Sequence, residues 1–261
     1  MGNESKKLAG NLTFYDYIID AGGEGDNTSI AAGLAAAGTY ASILIRRGSY
    51  TETSACTALV GQNIHWDDVT ITLNGALFGT NGNTKMTGQF TATGTGEPVW
   101  RVLVSLTNSN NNWGNCLIRL NPTGDGLTPG SDGQTIPFAL LSEEYSTFNI
   151  IAYNLTFNNS TNNSWVCLPY GGVAHCRGKI TCKNIDNSGS ANIGGLAMGA
   201  CTDCLFEVII DDVNSGGGGT GYGVFIDGDG DDNTFIGSCK NCDTNLSNGG
   251  TNNNVAALNV A

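Results

Sequence analysis

The chain has little positive charge: 11 Lys and Arg stand against 23 Asp and Glu, a formal net charge of −12 at pH 7. Phosphate backbones are held through basic surfaces, so nucleic acid is not an expected partner. Acidic chains are also repelled by anionic membranes, and no apolar run is long enough to cross a bilayer. No secretory leader is recognisable: "MGNESK" starts like a myristoylation signal, but Lys6 stands where Ser or Thr is wanted. Only two histidines occur, His65 and His175. Neither has an identifiable partner, so no Ser/His/Asp or Cys/His constellation stands out. Prolines number 5, and helical spacing is confined to one short stretch near the start.

Cysteine is not scarce, but its count of nine is odd. An odd count without a leader argues against a full disulfide framework. "CTDC" (201–204) and "CKNC" (239–242) are both C-x-x-C, yet they are too far apart for a zinc ribbon. Small apolar residues filling a narrow interior is the better reading.

What the chain does have is a repeat. "ITCKNIDNSG" (180–189) returns as "GSCKNCDTNL" (237–246). Halving the offset between Cys182 and Cys239 exposes further copies: "NIIAYNLTFNN" from Asn149, "CRGKITCKNID" from Cys176, "CLFEVIIDDVN" from Cys204 and "NTFIGSCKNCD" from Asn233. These four anchors are almost evenly spaced, and each copy ends in a polar or glycine-rich loop. Leu141, Leu168, Leu196 and Phe225 stand eight residues before them. A fixed period with a variable loop is the signature of a solenoid. Alternation inside the copies (Ile151, Tyr153, Leu155; Phe206, Val208, Ile210) has period two, hence strand. The expected fold is all-β, a parallel β-helix with equivalent residues stacked about 4.8 Å apart. Cys176, Cys204 and Asn233 then form one ladder, and Cys182, Ile210 and Cys239 an inward one. Ile151, Leu155, Ile180, Cys182, Val208, Ile210 and Cys239 are expected to be buried, with Asn158, Asn187, Asn214 and Asn248 in loops on one side.

Residues 1–26 read as an N-terminal segment and 27–261 as one domain. Within it, 27–38 reads as a capping helix, with Asn27 or Thr28 at its start and Gly38 at its end. Residues 74–140 read as less regular, with "NPTGDGLTPGSDGQTIP" a long loop. Residues 141–261 hold the regular copies.

Two site candidates follow. "DGDGDD" alternates Asp with Gly, so Asp227, Asp229 and Asp231 face one side of a tight turn, an oxygen-rich cluster suited to Ca²⁺. It is not an EF-hand, because Asp232 replaces the invariant Gly. Eleven residues before the anchors stand Trp165, Ile193 and Tyr222. If that row faces outward, Trp165 and Tyr222 offer a platform for sugar rings; with the opposite phase the row is core.

"SILIRRGSYTE" (42–52), after an alanine-rich helix, and "GVFIDGDGDDNTFIG" (223–237) resemble pectin-lyase-like right-handed β-helix proteins, including the β-helical domains of phage tailspikes. That resemblance implies a right-handed coil and a homotrimer. It also implies one of two functions. The first is a non-enzymatic virion component, tail- or fibre-associated, which is made in the host cytoplasm and binds other virion proteins, itself or a surface polysaccharide. The second is a polysaccharide lyase or glycoside hydrolase on the same fold. Among the carboxylates, Glu143, Glu144, Asp203, Glu207 and Asp231 are the candidates for such chemistry. Lys183 and Lys240 lie two turns apart and read as solvated. "NNNVAALNVA" begins another turn, and Val255 to Val260 are expected to contact another chain.

Overall fold

The computed structural model describes residues 6–7, 14–131, 133–159 and 161–260. The "MGNES" start lies outside them. Of the chain's described residues, 56% are strand and 5% helix. Its strands form an eleven-stranded, an eight-stranded and a three-stranded sheet, while Lys6–Lys7 and Phe14–Tyr15 make a separate antiparallel pair. Pairing within the three larger sheets is parallel, as in Thr147–Phe157 on Arg177–Asn187 and Ser164–Tyr170 on Ile193–Met198. The chain visits the sheets in rotation, and each strand pairs with its counterpart one turn later.

The register confirms the repeat and corrects one copy. Arg177 pairs with Leu205 and Leu205 with Thr234, which aligns Cys176, Cys204 and Asn233 as expected. Thr147, however, pairs with Arg177, so Ser146 rather than Asn149 is the counterpart of Cys176. Strand faces alternate with each residue, so a slip from Asn149 to Ser146, an odd number of positions, inverts them. Ile151 is accordingly half-buried, whereas Ile150 and Ala152 point inward. The row through Leu168 is displaced as well: the inward residues are Phe138, Cys167, Leu196 and Val224. The other residues expected inside are buried, and Cys182, Ile210 and Cys239 do stack in register. Of the asparagines expected in loops, Asn158 lies outside any strand, whereas Asn187, Asn214 and Asn248 lie within strands. Asn187 is also buried, its amide donating to the Asn159 and Ala191 carbonyls.

The repeated Cys-Lys-Asn-x-Asp now has a cause. Cys182 points in, Lys183 points out, and Asn184 takes a left-handed conformation that turns the strand so that Ile185 points in again. Asn154, Asp212 and Asn241 share that conformation, with φ of 56°, 65° and 55°. Asn and Asp accept it more readily than other residues with a Cβ. Stacked amides reinforce the column, with Asn184 donating to Asn154 Oδ1 at 2.7 Å. Asp211 lies between Lys183 and Lys240, 3.9 and 4.0 Å from their ammonium groups.

A second corner carries a buried polar ladder. Tyr145, His175, Asp203, Asp232 and Asn252 are all left-handed, and the residue after each faces inward or toward the corner. Backbone N–H groups there donate to the side chain one turn on: Asn111 to Ser146 Oγ (2.8 Å), Cys176 to Cys204 Sγ (3.4 Å), Cys204 to Asn233 Oδ1 (3.0 Å), and Asn233 to Asn253 Oδ1 (2.9 Å). Buried amides need such acceptors, which explains why small polar or thiol side chains occupy this position.

The helix is Ile30–Ala37, shorter than expected, and Ser29 rather than Asn27 or Thr28 caps it by accepting from Ala32 N. Glu52 accepts from Ile30 N and Ser29 Oγ, placing a carboxylate at the helix start. Gln62 donates to the carbonyls of Leu34 and Gly38 at the other end. Ile30 and Leu34 are fully buried at the start of the core.

Residues 74–140 are more regular than expected, because Lys85–Gly96, Val104–Thr107 and Cys116–Pro122 join the same sheets. Two loops interrupt them, at 97–103 and 123–137. The second of them makes the turn that leads from Val104 to its partner Phe138 longer than the regular turns. These loops fold onto the outer face of the eight-stranded sheet, where Val102, Ile136 and Ala139 form a small second core with Trp100, Leu141 and Leu168 against it.

Candidate functional site: an aromatic cleft beside the loops

The loop wall and the sheet face enclose a cleft of about 340 Å³, within the range of small-ligand sites. Glu97 sets one wall: its carboxylate accepts from Val99 N at 2.7 Å and Trp100 N at 2.5 Å, fixing the turn that presents Trp100. Ile136 N donates to Trp100 O at 2.9 Å and ties the second loop to the first. Trp100 meets Tyr170 edge to face, ring centroids 6.5 Å apart, and Tyr170 is 51% exposed. The floor is Trp165, Leu168 and Phe225, with Trp165 stacked on Phe225 at 5.3 Å and 22°. Gln134, Asn163 and Asp227 bring polar groups to the rim. No Lys, Arg or His lines the cleft among the described residues.

The two aromatics expected from sequence have different places. Trp165, Gly194 and Tyr222 form one row, and Ile193 lies in the next row and is fully buried. Gly194 is required here, since a Cβ would come within 2.2 Å of the Trp165 ring. Trp165 is only 6% exposed and lines the cleft. Tyr222 lies behind it, edge-on to Phe225 with centroids 5.2 Å apart, and supports rather than lines the site. Trp100 and Tyr170 are not singled out by the sequence, and Phe225 is marked there only as a member of the apolar row eight residues before the anchors. The signal for Trp100 is the less regular region 74–140 that carries it; Tyr170 gives none beyond being aromatic.

The acidic turn is less gathered than its spacing suggests. Asp227 accepts from its own neighbour Gly228 N, while Asp229 is exposed. Asp231 Oδ1 accepts from both N and Oγ1 of Thr251, and these bonds hold its carboxyl below the usual range. Among the described residues no three His, Cys, Asp or Glu side chains converge as metal ligands.

A second, open groove of about 790 Å³ runs along the polar corner past Tyr145, His175, Arg177, Asp203 and Asp232. Tyr145 stacks on His175 at 4.9 Å, and His175 Nδ1 lies 3.8 Å from Asp203 Oδ2. Glu143 and Glu207 do not join it: Glu143 is sealed beneath the corner, and Glu207 pairs with Lys179 at 2.8 Å. Glu144 does not line it either, and its backbone N–H donates to Ser109 Oγ.

No helix among the described residues is long and apolar enough to cross a membrane. Comparison of the chain with protein families, curated proteins and solved structures found no match.

Proposed function

We propose that the chain is a right-handed parallel β-helix serving as a non-enzymatic virion component, tail- or fibre-associated, whose cleft binds a neutral glycan. The observation that carries the binding reading is the cleft itself. Trp100, Tyr170, Trp165 and Phe225 offer ring faces and edges for the apolar sides of sugars, and Gln134 and Asn163 offer amides for hydroxyls. The ligand class follows from charge. Asp227 is the sole Asp, Glu, Lys, Arg or His among the described residues that line the cleft, so an acidic polysaccharide meets repulsion without a compensating cation. The virion setting and the homotrimer rest on the tailspike resemblance and on the acidic, glycine-rich composition.

The test is binding of the full chain to neutral and uronate oligosaccharides, followed by titration calorimetry. Trp100→Ala and Tyr170→Ala should each weaken binding roughly tenfold, since one lost stacking contact is worth about 0.5–1.5 kcal/mol. Absence of binding across the neutral panel, or indifference to both substitutions, defeats the reading.

The alternative, a polysaccharide lyase or hydrolase, draws its support from the corner groove. Asp203 and Asp232 stand one turn apart there, beside His175 and Arg177. Hydrolysis needs two carboxylates across the sugar bond. New reducing ends or unsaturated uronates, abolished by Asp203→Asn, would favour this alternative.

A further inference from the structure

Two pairs of cysteines stand side by side: Cys176 N donates to Cys204 Sγ at 3.4 Å, and the sulfurs of Cys239 and Cys242 share the space over Gly223. They differ in access. The first pair is sealed in the polar corner, at 0% and 2% exposure. In the second pair Cys239 is buried, but Cys242 is the one cysteine of the nine that is not. Cys242 takes the inward position that Ile185 and Val213 fill in the two preceding turns, three residues after Cys182 and Ile210.

The geometry around the second pair suits sulfur chemistry. Both sulfurs lie over Gly223: a Cβ there would sit 1.8 Å from Cys239 Sγ and 3.3 Å from Cys242 Sγ. The absent side chain is thus the space the pair occupies. The Cys239 thiol donates to Asn245 O at 2.8 Å, Asn245 Oδ1 accepts from Cys242 N at 3.0 Å, and the Cys242 thiol donates to Lys240 O at 3.2 Å. These bonds hold the turn 239–245 with both sulfurs beside Gly223. Once Cys242 has lost its proton, the Cys239 thiol can turn from Asn245 O to the Cys242 sulfur, and that bond favours the Cys242 thiolate, against burial and the carboxylates of Asp211 and Asp212. That donation and burial push the Cys239 thiol up.

We propose that Cys239 and Cys242 form a reversible dithiol–disulfide site that reacts with low-molecular-weight disulfides. Cys242 is the attacking sulfur, because it is the one a small molecule reaches. Cys242 loses its proton to water, and the thiolate attacks one sulfur of the small disulfide. The disulfide bond breaks, and its other sulfur leaves as a thiolate that takes up a proton. Cys239 then loses its proton to water and attacks Cys242 Sγ, expelling the second small thiol. The two protein thiols are oxidised to one disulfide, and the small disulfide is reduced to two thiols. The product ties Thr234–Lys240 to the turn before Thr244–Asn248, and the Cys239 bond to Asn245 O is given up. Cys176 and Cys204 are also neighbours, Cys176 N donating to Cys204 Sγ, but lack the access, and serve as the internal control.

The experiment treats the folded full chain with oxidised glutathione, blocks free thiols, and maps peptides by mass spectrometry. The expected result is a disulfide within the peptide that holds Cys239 and Cys242, reversed by a thiol reductant, while Cys176 and Cys204 are blocked only after denaturation. Cys239→Ser should stop the reaction at a glutathione adduct on Cys242, and Cys242→Ser should abolish both products. If Cys242 stays unmodified in the folded chain, or Cys176 and Cys204 oxidise equally fast, the proposal is wrong. Should Cys239→Ser fail to fold, the wild-type map alone decides between these outcomes.

Discussion

Glu143 has no exposed surface, yet its carboxylate is reached by Ser109 N, Asn111 Nδ2 and Ser146 Oγ. Burial raises its pKa, and the three hydrogen bonds offset that only in part. The folded state therefore binds this proton more tightly than the unfolded chain does. Its contribution is complete below the ordinary glutamate pKa and is lost as pH rises through the raised folded value. A tenfold difference in proton affinity between the two states corresponds to about 1.4 kcal/mol. Glu143→Gln keeps the shape and the Oε1 acceptor of Ser109 N and Asn111 Nδ2, while its Nε2 must donate to Ser146 Oγ instead of accepting from it. Having no proton to lose, it should flatten the fall of melting temperature with pH above the acid range. A Gln variant with an unchanged pH slope would mean that Glu143 does not titrate in this window. Asp231 behaves oppositely: the Thr251 bonds lower its pKa, so its contribution is present above the ordinary aspartate value and disappears as pH falls. Asp231→Ala should lower the melting temperature by the same amount with EDTA as with calcium; a calcium-dependent difference would restore the acidic turn as a cation site. At this scale the sequence is legible where one residue repeats at one place. The thiols and Asn233 of the corner ladder announce themselves by period. Trp100 does not, since a tryptophan in the inserted loop 97–103 has no counterpart one turn away to compare it with.

Long strands that bend at an Asn are the recurrent element. Cys182, Ile210 and Cys239 form their inward column, flanked by Ile180 and Val208, all fully buried. Ile210→Asp puts an unpaired carboxylate into that column, a cost of several kcal/mol that no neighbouring group can offset. Loss of cooperative melting in circular dichroism is the expected outcome, and a soluble variant that melts like wild type would contradict the register. The strands themselves are readable from alternation, and the two gap-free steps from Cys176 to Asn233 match the observed pairing. The copy at Asn149 is misplaced because its chemistry gives no fixed point: Ser146 resembles neither cysteine nor asparagine in sequence, though it accepts the same backbone bond. Alternation shows that a strand exists but leaves its phase open, and only the left-handed corner at Tyr145 sets it. The same ambiguity puts Ile193 in the row that belongs to Gly194.

For the whole molecule, assembly is the first question. An acidic chain of net charge −12 repels copies of itself over a Debye length of about 8 Å at physiological salt, so association needs specific contacts rather than general stickiness. Val255 and Val260 lie on the strand Asn254–Val260, with Val260 45% exposed. If the homotrimer of the proposed reading forms through them, Val260→Asp should shift sedimentation from trimer to monomer while the melting of the other turns is unchanged. A wild-type chain that sediments as a monomer at high concentration would remove the trimer from the reading. None of this is legible in composition, which reports charge but not which edge is paired.

The matched corners have one more consequence, which concerns editing of the chain. Residue 176 and residue 204 occupy the same corner with the same thiol, left-handed residue before and outward strand after. Excising residues 177–204 joins Cys176 to Leu205 and removes one whole turn while keeping the backbone register of both neighbours. Thr147 then meets Leu205 where it met Arg177, and Cys176 N finds Asn233 Oδ1 where it found Cys204 Sγ. Such a shortened chain should fold, whereas a cut of half that length should not, because it would send inward residues out and strand one sheet against another. The cleft would not survive the excision, since Gly194, Ala197, Met198 and Gly199 leave with it. Length in this molecule is therefore counted in turns, and the cleft is an attribute of particular turns rather than of the repeat that carries them.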